Sequence, residues 1–303
     1  MANQDQISKV RSAIARNRQN FVLRLGAAIC RKYLHAYNNE FNWGILHNGE
    51  SFIVDLITRN EPGVVLDVGA NIGAYALMCA ELPSVTTVHA FEISPETFET
   101  LNRNCSPNPK VICNPFGLSD HNGTTDIYYS PESNDRTSMH PIQHGFDTQR
   151  RAARVQTGDE YVGMAGIGRV SFLKIDVEGA DLQTLRGFER TLAHGRIGGI
   201  QFEHGQPSVE SRTFLRDIVA FLEKFNFCCF ALYPTSLEPV TTYGYDMEDF
   251  RGRNYVALSP QLAPALEPVI VRSRRYARSK PDDLAAPLSG PPRFQGAGLR
   301  GQY

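Results

Sequence analysis

The sequence predicts an α/β fold built on a doubly wound, mostly parallel sheet of seven strands, and three observations predict it. Val64-Val65-Leu66 opens a short β-branched run, as expected for a parallel strand covered on both faces. That run passes through Asp67-Val68 into a tight turn bracketed by Gly69 and Gly73, and the turn opens a helix. Similar runs recur at 85–91, 110–113, 170–176, 197–202, 227–233 and 255–258, with helical spacing between most of them. Alternation of this kind indicates a sheet with helices on both faces.

The bulk properties bound the rest. At 303 residues the chain suits one large domain with extensions, and 42% hydrophobic residues suffice for a real core. A net charge of −1 gives the chain as a whole no sign of a nucleic-acid or anionic-membrane binder, leaving only local clusters to consider. The cysteines (30, 79, 105, 113, 228 and 229) have no framework spacing, so reduced thiols and a cytoplasmic setting are expected. No apolar run approaches the roughly 18 residues of a membrane span, and the N-terminus lacks a signal-peptide apolar core.

From the N-terminus, residues 5–37 carry Ile7, Val10, Ile14, Phe21, Leu25 and Ile29 at helical intervals, with arginines on the other faces. The plain expectation is an amphipathic helix covering one edge of the core; a lid or substrate-docking helix is the sharper one. Phe52, Ile53, Leu56 and Ile57 make a further apolar stripe ahead of the first strand. The helix after the glycine turn is expected over 74–82, ended by Pro83. Ser94-Pro95-Glu96 reads as a helix start, with an N-cap serine and proline at the first position. Asn122-Gly123 is a hairpin signal leading into 125–129, and polar residues 130–154 suggest a long loop over the sheet. Further helices are expected around Leu182, Leu185 and Phe188, and over 210–225. Beyond Pro260 the periodicity fails, and a basic stretch at 272–278 precedes a Pro/Gly-rich end. The expected organisation is therefore a helical extension (1–48), a catalytic domain (49–260) and a disordered tail (261–303).

The glycine turn bears on the cofactor. A dinucleotide fingerprint needs G-x-G-x-x-G, and aligning its second glycine on Gly69 puts Asp67 and Ile72 at the other two positions. An acid closing the strand would repel a pyrophosphate. It suits a ligand with an ammonium group and no phosphates, as S-adenosylmethionine has. The next strand ends in Glu92, where a carboxylate can accept from ribose hydroxyls.

Val65-Leu66-Asp67-Val68-Gly69-Ala70-Asn71-Ile72-Gly73, Ala90-Phe91-Glu92 and Leu173-Lys174-Ile175-Asp176-Val177-Glu178-Gly179-Ala180-Asp181 together resemble the FkbM-type S-adenosylmethionine-dependent methyltransferases. The resemblance runs over about 52–202. It implies a Rossmann-like class I methyltransferase fold and methylation of a hydroxyl oxygen, often on sugars or secondary metabolites. There are departures: Ile93-Ser94-Pro95 where the family commonly has proline directly, Thr157-Gly158-Asp159 for Thr-Leu-Asp, and Asp181 for Glu. Gly158 is expected to loosen the element before the fourth strand.

On the cofactor side the candidates are Asp67, Gly69, Ala70, Asn71, Gly73, Tyr75, Glu92, Ile93, Leu118, Asp120, Asp176 and Glu178, with Leu118 and Asp120 placed for adenine. Ligands bind outside the carboxyl ends of such strands, where Asp67, Glu92, Asp176 and Glu203 fall. Methyl transfer needs the acceptor positioned and its proton removed. Asp176, Glu203 or His204 could serve as the base or orient it, with Lys174 two residues before Asp176 on the same face. A second reading adds a divalent cation such as Mg on Asp176, Glu203 and His204. In a third reading Asp176 caps the following turn and Glu203 pairs with an arginine. Glu178 and Asp181 suit a helix start, where acids favour the dipole.

The expected function is O-methyl transfer to a sugar, glycolipid or secondary metabolite, with no nucleic-acid partner. An NAD-linked oxidoreductase and a non-catalytic S-adenosylmethionine-binding scaffold are the alternatives. The loops at 130–154 and 234–253 are expected to define the acceptor. Tyr243, Tyr245, Asp246, Glu248 and Asp249 in the second could hold a sugar ring, or simply form a surface loop.

Overall fold

The computed structural model describes residues 2–130, 133–141, 149–241 and 243–271. In chain order the elements are α1 (Ala2–Arg16), α2 (Phe21–Tyr37), α3 (Glu50–Asn60), β1 (Gly63–Val68), α4 (Ala74–Ala80), β2 (Val85–Phe91), α5 (Pro95–Cys105), β3 (Val111–Asn114), β4 (Gly117–Ser119), β5 (Gly123–Ser130), β6 (Ser133–Ser138) and β7 (Gln149–Thr157). There follow α6 (Gly158–Met164), β8 (Val170–Ile175), α7 (Asp181–Arg186), α8 (Glu189–Ala193), β9 (Ile197–His204), α9 (Pro207–Glu210), α10 (Leu215–Glu223), β10 (Cys228–Tyr233), β11 (Ser236–Pro239) and β12 (Arg253–Leu258).

The main sheet has the order β11-β10-β12-β9-β8-β1-β2-β3. Strands β3, β2, β1, β8 and β9 are parallel, β12 is antiparallel to its neighbours β9 and β10, and β11 is antiparallel to β10. Eight strands stand where seven were expected. The extra one, β11, is four residues long and ends in Pro239, so it offers little periodicity to read; Leu237 alone anchors it, fully buried. The chain steps outward from β1 through β2 to β3, then returns to β8 on the other side of β1. That switch opens a crevice at the carboxyl ends of β1 and β8.

Alternate residues of each strand feed two apolar layers. Val65, Phe172, Val256 and Leu258 face α3 and α4, while Leu66, Val68, Leu173, Ile175 and Tyr255 face α7 and α10. This is why the strands read as continuous apolar runs. Most helix signals are met locally: Ser94 accepts from the Thr97 amide at the start of α5, and Pro95 is its first residue. Gly158 does not loosen its element. Thr157 caps α6, and a Cβ on Gly158 would stand 2.3 Å from the Phe188 ring, so the glycine admits that ring.

Two local signals are overridden. Asn122-Gly123 does not make a hairpin between β4 and β5, because β7 lies between them in a second sheet of order β4-β7-β5-β6. Asn122 instead accepts from the Thr157 amide at 2.8 Å. The polar stretch 130–154 is therefore partly strand, with 142–148 outside the described residues. The expected helix over 5–37 is broken at 17–20, where the Asn20 side chain accepts from the Val22 amide and starts α2. Nor does it cover the core, since no residue of α2 is buried. The chain joins the body at Asn38–Asn39, with Asn39 donating to the carbonyls of Asn48 and Leu232. Packed structure also continues past 260: a 3-10 helix spans Ala263–Val269, and Leu262 and Leu266 are buried. The rest of the expected tail, including the basic stretch at 272–278, lies outside the described residues.

Candidate active site

The turn after β1 is fixed by its own sterics. Gly69 has φ +85°, and a Cβ there would lie 1.8 Å from the Asp176 carbonyl oxygen. No other residue lets β1 and β8 end so close together. Gly73 has φ +91° and a Cβ there would meet Cys105 Sγ at 2.2 Å, so it seats α4 against α5 and does not line a cleft. Ala70 is likewise buried, its amide bonded to the Phe91 carbonyl at 2.8 Å.

Two clefts open at these strand ends. The first spans about 700 Å3 including its mouth and is lined by Gly69, Asn71, Phe91, Glu92, Ile93 and Leu118, with Thr137 of β6 and the neighbouring Met139. Glu92 is buried; its Oε2 accepts from the Asn71 amide at 3.0 Å and its Oε1 from the Ser94 amide at 2.8 Å. Burial pushes the Glu92 carboxyl up to about 7, against the pull of those amides. No Lys, Arg or His is among the described residues lining this cleft, whereas Glu92, Asp176 and Glu178 are. That donor set suits a cationic ligand with ribose hydroxyls and does not suit a pyrophosphate.

The second cleft is wider, about 1510 Å3 including its mouth, and carries Phe41, Trp43, Glu50, Lys174, Glu203 and Asn254. Its floor is a polar row across the sheet: Asp67 pairs in register with Lys174, and Lys174 with Gln201. Glu50 from α3 covers the row, its Oε1 accepting from Gln201 Nε2 at 2.5 Å, and Gln201 also donates to Asn254 at 3.0 Å. Trp43 packs over Gly252, where φ is +65° and a Cβ would stand 2.8 Å from the indole. Asp176 and Glu178 line both clefts.

Lys174 governs the floor. Its Nζ donates to Asp176 Oδ2 at 2.8 Å, lies 4.0 Å from Asp67 Oδ1, and sits 4.8 Å from the centre of the Tyr75 ring. Burial opposes its charge, but Asp176, Glu50 and Asp67 outweigh burial and hold the ammonium above the ordinary lysine range. A lysine held protonated cannot accept a proton; it can hold Asp176 in place. Asp67 is fully buried with neither oxygen in a hydrogen bond, and burial raises it to about 6 against the attraction of Lys174. It acts from beneath the turn and touches neither cleft, and the buried Tyr75 does the same.

Several candidates are not brought to the site. His204 alternates with Glu203 on β9 and faces the other way, fully buried against Phe250. Its Nε2 is 2.9 Å from Glu248 Oε2, close but poorly aligned for a hydrogen bond. Burial lowers its pKa, with Glu248 opposing. It is no base for an acceptor in either cleft, and without it the Asp176, Glu203 and His204 cation set is not assembled. Among the described residues no three His, Cys, Asp or Glu side chains are grouped to hold a metal. Asp120 is exposed and bonded to His121, leaving Leu118 alone of that pair in the first cleft. Glu203 does line the second cleft, and among the described residues it pairs with no arginine; burial, then Asp176, Glu178 and Asp181, raise its pKa well above the carboxylate range. Asp181 is buried at the start of α7, its pKa also raised by burial.

The 243–249 loop does not reach the second cleft. Glu248 accepts from the amides of Leu215 and Arg216 at the start of α10, and Tyr245 is fully in solvent at 87% exposure. Aromatic and polar residues before 51, chiefly Trp43 and Glu50, stand there instead, with Gln201 and Asn254 beneath. No motif marks them. Gln201 and Asn254, polar in otherwise apolar strands, were the available signal.

A mostly parallel sheet, a phosphate-averse glycine turn and a carboxylate just past β2 fit the Rossmann-like class I methyltransferase fold. The family model described as the methyltransferase FkbM domain matches residues 67–229. That is more than half of the chain, which therefore belongs to this family. Among curated relatives, hexuronic acid methyltransferase AglP of Haloferax volcanii is 31% identical over 147 residues, covering 48% of this chain and 58% of that protein. The 2-O-methyltransferase NoeI of Sinorhizobium fredii is 24% identical over 199 residues, covering 61% and 80%. The 31-O-demethyl-FK506 methyltransferase FkbM of Streptomyces tacrolimicus is 30% identical over 158 residues, covering 42% and 60%. The match spans 58–62% of the length of the first three curated relatives, AglP among them. A solved FkbM methyltransferase from Methylobacillus flagellatus has a TM-score of 0.43 at 13% identity, covering 65% of this chain and 43% of that one.

Proposed function

We propose that this chain transfers a methyl group from S-adenosylmethionine to a hydroxyl oxygen of an uncharged sugar, free or carried on a larger molecule. The observation that carries the reading is that Asp176 belongs to both clefts and is held by the Lys174 ammonium at 2.8 Å. When bound, the donor supplies a methyl carbon on a sulfonium, an electrophile that needs no metal. In the first cleft Glu92 accepts from ribose hydroxyls, while Phe91, Ile93 and Leu118 give an apolar wall for adenine. The clefts' carboxylates match the donor's positive charge.

In the second cleft the acceptor is stacked by Trp43 and Phe41 and hydrogen-bonded by Asn254 and Glu203. As its oxygen takes the methyl group, its proton passes to the Asp176 carboxylate. Lys174 keeps that carboxylate aimed and stabilises negative charge growing on the oxygen. Among the described residues, Glu50, Asp176, Glu178 and Glu210 line the same cleft against one cation, Lys174, which disfavours a uronate acceptor. On this reading the methyltransferase domain occupies most of 49–260.

The test is a panel of neutral sugars, uronic acids and polyketide alcohols incubated with enzyme and S-adenosylmethionine, with mass spectrometry for the gain of one methyl group. Methylated neutral sugar is the expected product. Methylation of uronates alone, or tight NAD binding without S-adenosylhomocysteine binding, would overturn the proposal.

A further inference from the structure

Among the described residues, α1 and α2 pack on no other element beyond the contacts of His35 with Glu40 and Phe41 at the end of α2. Among the described residues, 13 of the 20 large hydrophobic side chains left exposed fall within the first 46 positions. On α2 they form a broad face that includes Phe21, Val22, Leu25, Ile29 and Tyr33, each at least half exposed. Ile7, Val10 and Ile14 make a narrower stripe on α1. The body buries its own apolar residues well. Its exposed ones, such as Ile72, Ile112 and Met164, are scattered along the chain and offer no matching patch.

The charge on these helices is one-sided. Residues 2–37 hold seven Lys and Arg against one acid, Asp5, in a chain whose net charge is −1. Asp5 is already paired with Lys9 at 2.7 Å. At 100° per residue, Arg24, Arg31, Lys32 and His35 make up the whole polar strip of α2, with no acid among them. Neither helix is long and apolar enough to cross a membrane. An apolar face bordered by two arginines and a lysine, with no acid on the helix itself, is the pattern of a helix lying in the surface of an anionic bilayer. A second copy is a poorer occupant, because pairing these faces would bring two strongly basic segments together. The apolar surface also continues past α2: Phe41, Trp43 and Leu46 are exposed, and two of them line the mouth of the second cleft.

We infer that α1 and α2 dock this enzyme on an anionic lipid surface, with the apolar face of α2 inserted among the acyl chains and its arginines and lysine at the headgroups. The inference is independent of the methyl-transfer reading, since no residue of α1 or α2 lines either cleft.

Cosedimentation of the full chain with vesicles tests it. Equal parts phosphatidylcholine and phosphatidylglycerol should pellet the protein, and phosphatidylcholine alone should not. Leu25→Glu/Ile29→Glu should weaken binding at least about tenfold by placing charge in the inserted face. Arg24→Gln/Arg31→Gln/Lys32→Gln should weaken it roughly hundredfold, about fivefold for each charge removed. Because these residues pack on nothing, all variants should keep the parent's thermal melting point. Failure to pellet with the anionic vesicles, equal binding to both, or binding unchanged in the Leu25→Glu/Ile29→Glu variant overturns the inference. So does light scattering that shows a dimer dissociated by that variant with no vesicle binding, which would make a second copy the occupant.

Discussion

The two clefts are built in opposite ways. The first is gathered around the carboxyl ends of β1, β2 and β8, with Leu118 of β4 and Thr137 of β6 on its walls. Its shape is set by backbone: Gly69 against the Asp176 carbonyl, and Glu92 tied to the amides of Asn71 and Ser94. The second is made by side chains from segments up to two hundred residues apart, as in the bond from Gln201 to Glu50 and the stacking of Trp43 on Gly252. A backbone site tolerates few sequences and is shared across a family; a side-chain site can be retuned one residue at a time. The donor end is thus general and the acceptor end particular.

Asp176 is where the two meet, and its removal should have the largest effect. Asp176→Asn should lower the turnover of methyl transfer by about 100-fold or more, with S-adenosylhomocysteine affinity by calorimetry changed far less. Equal losses in both would make Asp176 a cofactor ligand alone and break the division between the clefts.

Next comes Glu92→Gln, which should weaken S-adenosylhomocysteine binding about tenfold, as expected for a lost charge-assisted hydrogen bond, and leave the acceptor KM unchanged. The pH dependence carries the same information. With its carboxyl raised to about 7, Glu92 is the stronger acceptor above that pH and is protonated below it. Cofactor affinity should therefore rise as pH increases through about 7, and the Gln variant should flatten the profile.

Smaller again is Trp43→Ala, which should raise the acceptor KM roughly fivefold, about 1 kcal/mol of lost ring contact, while cofactor affinity stays the same. A change in cofactor affinity would mean that the two clefts are not separable. The smallest expected effect is none: enzyme treated with EDTA and assayed without added metal should keep its rate, because Asp176 is bound to Lys174 and His204 faces away.

The first cleft is partly legible in the chain: of the residues expected on the donor side, Gly69, Asn71, Glu92, Ile93, Leu118, Asp176 and Glu178 line it, whereas Asp67, Ala70, Gly73, Tyr75 and Asp120 do not. Asp67 is instructive: its position at the end of β1 was right, but it faces the buried Lys174 rather than the ligand. His204 failed for the related reason that adjacent residues on a strand face opposite ways. Glu203 and His204 cannot both enter one crevice.

The sequence by itself determined the parallel sheet, the glycine turn that excludes a dinucleotide, and the carboxylate of β2. Those depend on local sterics and on the period of apolar residues, which are written in consecutive positions. Only the tertiary structure decided the eighth strand, the order of the small second sheet, the polar row from Asp67 through Lys174 to Gln201, and the exposure of the N-terminal helices. Each depends on which strand lies beside which, or on whether any surface waits to receive an apolar face. The amphipathic stripe of α2 reads the same whether it covers a core or meets something outside the molecule; here the core is already covered by α3, α4, α7 and α10.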